Sequence, residues 1–365
     1  MDLEEFDLTL KWPKELFLWE ADRLLRRSSE PGFDNAVAML VSEAIADDDL
    51  ADQLDDNGLL GSSDARYFLT NVLRDPSLLT PFEPRRYFHT RHGRRSEVAA
   101  RASLGREFTQ LIGMLSEWNY FPRVVPRECV DDRSESPDVS AILTREFSTV
   151  VAWPHDFEEN LIPREILFST MEYFHDQARR PRSRSYHSYS DCGYHYADHN
   201  KQSGAAVYRW HVNTLLERHG VELKISNSAA DVGNLVRRSN VGLDLLADEL
   251  VEASAPGETS EDEVVAEAIR MYRDRSASVV QRRAAVTQLA GYLERHKQTF
   301  RDLQFTSKDQ SDLFQIYNNF SLRHNNATQK SEYGDEYLDW IFWVTLAAIQ
   351  LLQTQSPARD SPVSP

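Results

Sequence analysis

Trp340-Ile-Phe-Trp-Val-Thr-Leu-Ala-Ala-Ile-Gln-Leu-Leu352 is the most hydrophobic stretch of the chain, and the fold class turns on how it is read. It is shorter than the roughly 18–20 residues that a bilayer span requires. Thr345 and Gln350 interrupt it with hydrogen-bonding groups, so it reads as a core helix, from about Asp335 to Gln353, that needs other helices to cover it. Those covers lie just upstream. Ser260-Glu-Asp-Glu263 has the spacing of a capping box, in which the hydroxyl and the carboxylate each satisfy a free amide of the first turn. Helical spacing then runs from Ser260 to about Arg275, from about Ser278 to Thr299 and from about Lys308 to Arg323. Short connections between them predict a C-terminal four-helix bundle over residues 260–354. The Pro/Ser-rich tail, 355–365, has the composition of a disordered segment.

Upstream of the bundle the chain reads as two further parts. Residues 1–128 are mostly helical: Pro13 suits the first turn of a helix ending near Arg27, Asp34–Ala46 is amphipathic, and Ser62/Ser63 can cap a helix through Leu73. Another helix is expected from about Glu97 to Trp118. Residues 129–252 read as a small middle α+β unit between two linkers, 129–140 and 253–259. In it, Phe147–Trp153 is rich in β-formers, Pro163–Arg180 and Gly204–His219 are helical, and Val221–Ser226 alternates with period two. That last strand is expected to pair with Asn234–Arg238 as a β-hairpin. The fold class is therefore mainly α with a small β component.

The chain has 365 residues and a net charge of −17, from 41 basic and 58 acidic side chains, so as a whole it repels free nucleic acid and anionic membrane. Its two cysteines, Cys129 and Cys192, are too few for a disulfide scaffold and fit a reducing compartment. The N-terminus is acidic, with no basic region followed by an apolar one, so no secretory signal and a cytoplasmic location are expected. Against the acidic total, residues 84–106 stand out: Arg85, Arg86, Arg91, Arg94 and Arg95 alternate with Tyr87, Phe88, His89 and His92. Such a run suits phosphate neutralisation with base stacking, as in nucleic-acid binding. It also suits a solvated arginine face paired with carboxylates elsewhere.

Two clusters carry possible chemistry. In the first, Arg323, His324, Asn325, Asn326, Gln329, Lys330 and Tyr333 crowd the junction before the last helix. Arginine can hold a phosphate bidentately, histidine exchanges protons near neutral pH, and amides orient a base or ribose. These parts suit RNA phosphodiester cleavage without a metal, with Arg323 and His324 catalytic and the rest binding ligand. They equally suit nucleotide binding, and a helix C-terminus alone also favours cations. In the second, Cys192-Gly-Tyr-His195-Tyr-Ala-Asp-His199 offers a thiolate and imidazoles at spacings compatible with Zn²⁺; His187, Asp191 or Asp198 would supply a fourth ligand. The alternative is a tyrosine-rich ordered loop whose histidines bond locally. The loop itself, 180–204, shows neither helix nor strand periodicity.

The segment with Asn319, Phe320, Arg323, His324, Gln329, Lys330, Tyr333, Trp340 and Phe342 resembles the C-terminal part of bacterial abortive-infection-like proteins. Tyr186, His187, Cys192, Gly193, His195 and Tyr196 resemble the Tyr-His…Cys-Gly-x-His-Tyr loop of the same group. The helical unit with Arg and His is also similar to HEPN ribonucleases, although the two residues are adjacent here and separated there. The resemblance implies antiphage defence acting on RNA or nucleotides. A non-catalytic protein that binds a protein partner or its own copy is the competing expectation.

Overall fold

The computed structural model describes residues 3–55, 62–81, 103–129, 131, 136–228, 231–238, 241–253, 260–302, 307–319 and 335–355. Among the described residues the protein is mainly helical, with two antiparallel two-stranded hairpins. It divides into two compact units, 1–220 and 221–365.

In the first unit, α1 (Lys14–Leu25), α2 (Phe33–Ala44), α3 (Asp48–Asp55) and α4 (Ser62–Arg74) bury Phe17, Leu24, Val37, Leu40, Phe68 and Leu69. The spacings of three and four expected for these helices are what close that core. An aromatic core follows between α5 (Leu104–Glu117), α8 (Arg164–Gln177) and α9 (Lys201–Arg218), after the short helices α6 (Val139–Phe147) and α7 (His155–Glu158). Phe121 meets Phe174 edge-on at 5.0 Å, and Trp153 lies 4.8 Å from Phe157 and 5.2 Å from Phe174.

The β-rich segment Phe147–Trp153 does not form a strand. Thr144 and Ser140, from the helix before it, take the amides of Val151 and Trp153 at 3.1 and 3.0 Å, so no neighbouring strand is needed. Conversely, the loop that lacked periodicity contains β1 (Ser183–His187) and β2 (Gly193–Ala197). Its alternation is Ser/His against Tyr/Arg, which no apolar period reveals.

Residues 129–220 belong to the first unit rather than to a separate middle unit, and the cause is polar. Arg180 is fully buried; its Nε donates to Glu43 Oε2 at 2.7 Å and its NH1 to Glu20 Oε1 at 3.3 Å. Ser203 Oγ donates to the other Glu20 oxygen at 2.6 Å, and Tyr120 donates to Glu43. One ion cluster thus ties α1 and α2 to the segment entering β1 and to α9. Gly204 permits the approach: a Cβ there would sit 2.4 Å from the Arg179 Cα.

In the second unit, β3 (Leu223–Ile225) pairs with β4 (Leu235–Arg237), as the period-two reading predicts. The helices α10 (Val241–Ala253), α11 (Ser260–Arg273), α12 (Val279–Arg295), α13 (Lys297–Asp302), α14 (Ser307–Asn319) and α15 (Asp335–Gln355) complete the unit. Leu338, Ile341, Phe342, Leu346, Ile349 and Leu352 of α15 share a core with Val265, Ile269, Leu289, Leu293 and Tyr317. The apolar stretch is therefore a core helix, though Trp340 at its start stays exposed. The region 221–252 adds α10 and a hairpin to the bundle expected from 260 onward. Side chains of the box read at Ser260–Glu263 lie partly outside the described residues; a capping box forms at Ser278 and Gln281.

Candidate metal centre

The β1–β2 register pairs His187 with Gly193 and Ser185 with His195, which places the two histidines on one face of the hairpin as diagonal neighbours. Their rings meet edge-on with centroids 5.1 Å apart. The connection turns sharply through Ser190 (φ 50°) and Gly193 (φ 85°), and the Cys192 amide bonds the Tyr189 carbonyl at 3.1 Å. That turn returns Cys192 to the histidine face. Its Sγ lies 3.2 Å from His195 Nε2.

A fourth group arrives from residues before α6. The Arg127 amide donates to Asn119 Oδ1 at 3.2 Å and its guanidinium to the Glu117 carbonyl at 2.9 Å, which fixes the segment leading to Cys129. Cys129 Sγ then lies 3.8 Å from His187 Nδ1. The ligand atoms of Cys129, His187, Cys192 and His195 all fall within 4.8 Å of one another, each side chain half-buried.

Zn–S bonds of about 2.3 Å and Zn–N bonds of about 2.0–2.1 Å at a tetrahedral angle put S and N about 3.6 Å apart. The two observed S···N separations, 3.2 and 3.8 Å, bracket that value. Two groups behind the ligands favour the metal-binding forms. The Asp131 amide donates to Cys129 Sγ at 3.4 Å, which stabilises a thiolate. The Asp131 carboxylate lies 3.5 Å from His187 Nε2, where it selects the tautomer that leaves Nδ1 free to bind. Two thiolates with two imidazoles are a donor set for Zn²⁺, and four protein ligands leave no open position for substrate.

His199 does not join the cluster. Its Nε2 donates to the Asn119 carbonyl at 3.1 Å, and burial lowers its affinity for a proton. Because Asn119 also holds the Arg127 amide, His199 braces the segment that carries Cys129. Cys192 and His195 are thus brought together as expected, with His187 beside them, and Cys129 completes the group. Asp198 is likewise outside the cluster, and the side chain of Asp191 lies outside the described residues. Sequence reasoning placed Cys129 in a linker; its signal was that it is the chain's other thiol.

Arg323, His324, Asn325, Asn326, Gln329, Lys330 and Tyr333 lie outside the described residues, as do Arg85, Arg86, Arg91, Arg94 and Arg95. Among the described residues no helix is long and apolar enough to cross a membrane. Comparison of the chain with protein-family models, with curated proteins and with solved structures finds no match. Fold and side chains together define a mainly α protein with a Cys₂His₂ cluster able to hold a metal ion.

Proposed function

We propose that this chain is a zinc-binding protein in which Cys129, His187, Cys192 and His195 hold one Zn²⁺ that fastens the β1–β2 hairpin to the segment after α5. The observation that supports it is the convergence of four ligand atoms within 4.8 Å from two stretches far apart in the chain. The closed ligand set makes the centre a structural clasp; its chemistry is to replace a hydrophobic core under a hairpin that carries few apolar side chains. Elemental analysis of protein purified without chelator tests this. About one zinc per chain is expected, falling towards zero in Cys192→Ser and His195→Ala. A wild-type content far below one after supplementation with zinc overturns it, and a copper or iron content in its place corrects the metal.

The defence reading, with RNA cleaved or bound through Arg323 and His324, rests on the polar run before α15 and on the resemblance of that run to abortive-infection-like proteins. It is a proposal about residues separate from the metal cluster. Its test is cleavage of single-stranded RNA by wild type and by Arg323→Ala and His324→Ala: activity lost in folded variants supports it, and activity equal to wild type removes it.

A further inference from the structure

Cys129 and Cys192 are the two cysteines of the sequence, and in the ligand cluster their Sγ atoms come within 4.8 Å of each other. Neither is sealed in the core. Both residues are half-buried, which leaves the sulfurs within reach of a small oxidant. Side-chain rotation can bring sulfurs that start this close to the about 2.05 Å of a disulfide.

The donor set divides evenly into two thiolates and two imidazoles. A structural zinc site is four-coordinate, so joining the thiolates to each other removes half of its ligands in one reaction. Two imidazoles are too few to hold the ion. The second sulfur also decides which oxidation product forms. A thiolate oxidised alone climbs from sulfenic to sulfinic acid, whereas a neighbouring thiolate captures the sulfenic acid as a disulfide, which thiols reduce again. In a reducing compartment such a bond is transient and serves as a signal rather than a scaffold.

We propose that Cys129 and Cys192 are an oxidisable pair that unloads the metal centre: a peroxide converts them to a disulfide, and the ion is released. One thiolate attacks a peroxide oxygen, the O–O bond breaks and a hydroxide leaves. The other thiolate attacks the resulting sulfenic sulfur, forming the S–S bond and displacing a second hydroxide. Two electrons pass from the sulfurs to the peroxide, and the zinc keeps its charge. The disulfide still ties the turn between the strands to the segment after α5, but His187 of β1 and His195 of β2 no longer share an ion. The hairpin stays tethered and loses its cross-strand clasp. This proposal rests on the zinc reading, because only a loaded centre can be emptied.

The test treats reduced, zinc-loaded full chain with hydrogen peroxide in about tenfold excess, a chromogenic chelator reporting free zinc and an untreated sample serving as control. About one zinc released per chain is expected, with a chain mass lower by two hydrogen atoms and a peptide pair joining Cys129 to Cys192. Amide exchange at the paired residues Ser185 and His195 is expected to be faster than in the loaded chain, and dithiothreitol followed by zinc to restore the starting state. Zinc retained through the treatment, a mass raised by oxygen atoms, or a disulfide between two chains overturns the proposal. Zinc content before treatment separates the two readings. A loaded chain that peroxide does not empty rejects this proposal alone, and a chain that never takes up zinc rejects the clasp and this proposal with it.

Discussion

At the scale of single residues, the informative ones are charged side chains in places where charge is costly. Glu20 is 1% exposed and serves Arg180, Arg182 and Ser203 at once. For Arg180, burial opposes the charge, but Glu43, Tyr120 and Glu20 outweigh it and hold the guanidinium above its ordinary range. Glu20→Ala would leave two buried guanidinium groups short of their shared partner. It is expected to destabilise the first unit by about 3–5 kcal/mol in denaturant titration, whereas a surface change such as Asp22→Ala stays within about 0.5 kcal/mol. Nothing in the sequence marks Arg180 as interior, because arginine is mostly an exposed residue. Cys129 was illegible for a different reason: its partners are far along the chain, and ligand spacing is read only locally. Cys192 and His195 were legible because the turn between them is short.

At the scale of elements, helices were easy to read and one hairpin was not. The bundle helices carry apolar residues at spacings of three and four, and β3–β4 carries a period of two, so local pattern and final packing agree. The β1–β2 hairpin carries few aliphatic side chains; the Arg184 amide ties it to Asn35 of α2 at 2.8 Å and Tyr196 lies against Trp118, and the rest of its order is expected to come from the metal. Because the Arg184 amide turns outward to Asn35 Oδ1, the neighbouring pair Ser185–His195 carries the ladder bonds. Removing the metal with a chelator should therefore speed amide exchange at Ser185 and His195 by well over tenfold while the amides of α2 and α8 keep their protection. Equal protection with and without metal would mean that backbone pairing alone orders the hairpin. Helix starts give a smaller test. Ser278 accepts from the Gln281 amide at 3.3 Å while Gln281 Oε1 accepts from the Ser278 amide at 2.8 Å. Ser278→Ala is expected to cost about 1 kcal/mol in the second unit, read from its denaturation midpoint.

At the scale of the whole molecule, two features set how stability responds to conditions. The first is the division into units, each with its own core, so a change confined to 1–220 is expected to move one unfolding transition and leave the other in place. The second is acid sensitivity. Burial lowers His211 to about 4, and burial together with the Arg209 charge lowers His175. Both bind protons more readily when unfolded, where the ordinary value is about 6.5, than when folded. Their contribution is therefore complete above about pH 6.5 and is lost as pH falls towards about 4. The melting temperature of the first unit should drop over that window, and His211→Phe should shallow the slope if the replacement packs. A flat profile in wild type would remove the argument.

The convergence of Cys129 and Cys192 has a practical reach beyond architecture. They are the chain's full complement of sulfhydryl groups, and both point into one cluster. An alkylating reagent applied to the native protein should therefore modify two positions or none, according to whether an ion shields them. Mass spectrometry of the labelled chain then becomes a gauge of how much of any preparation is loaded, molecule by molecule.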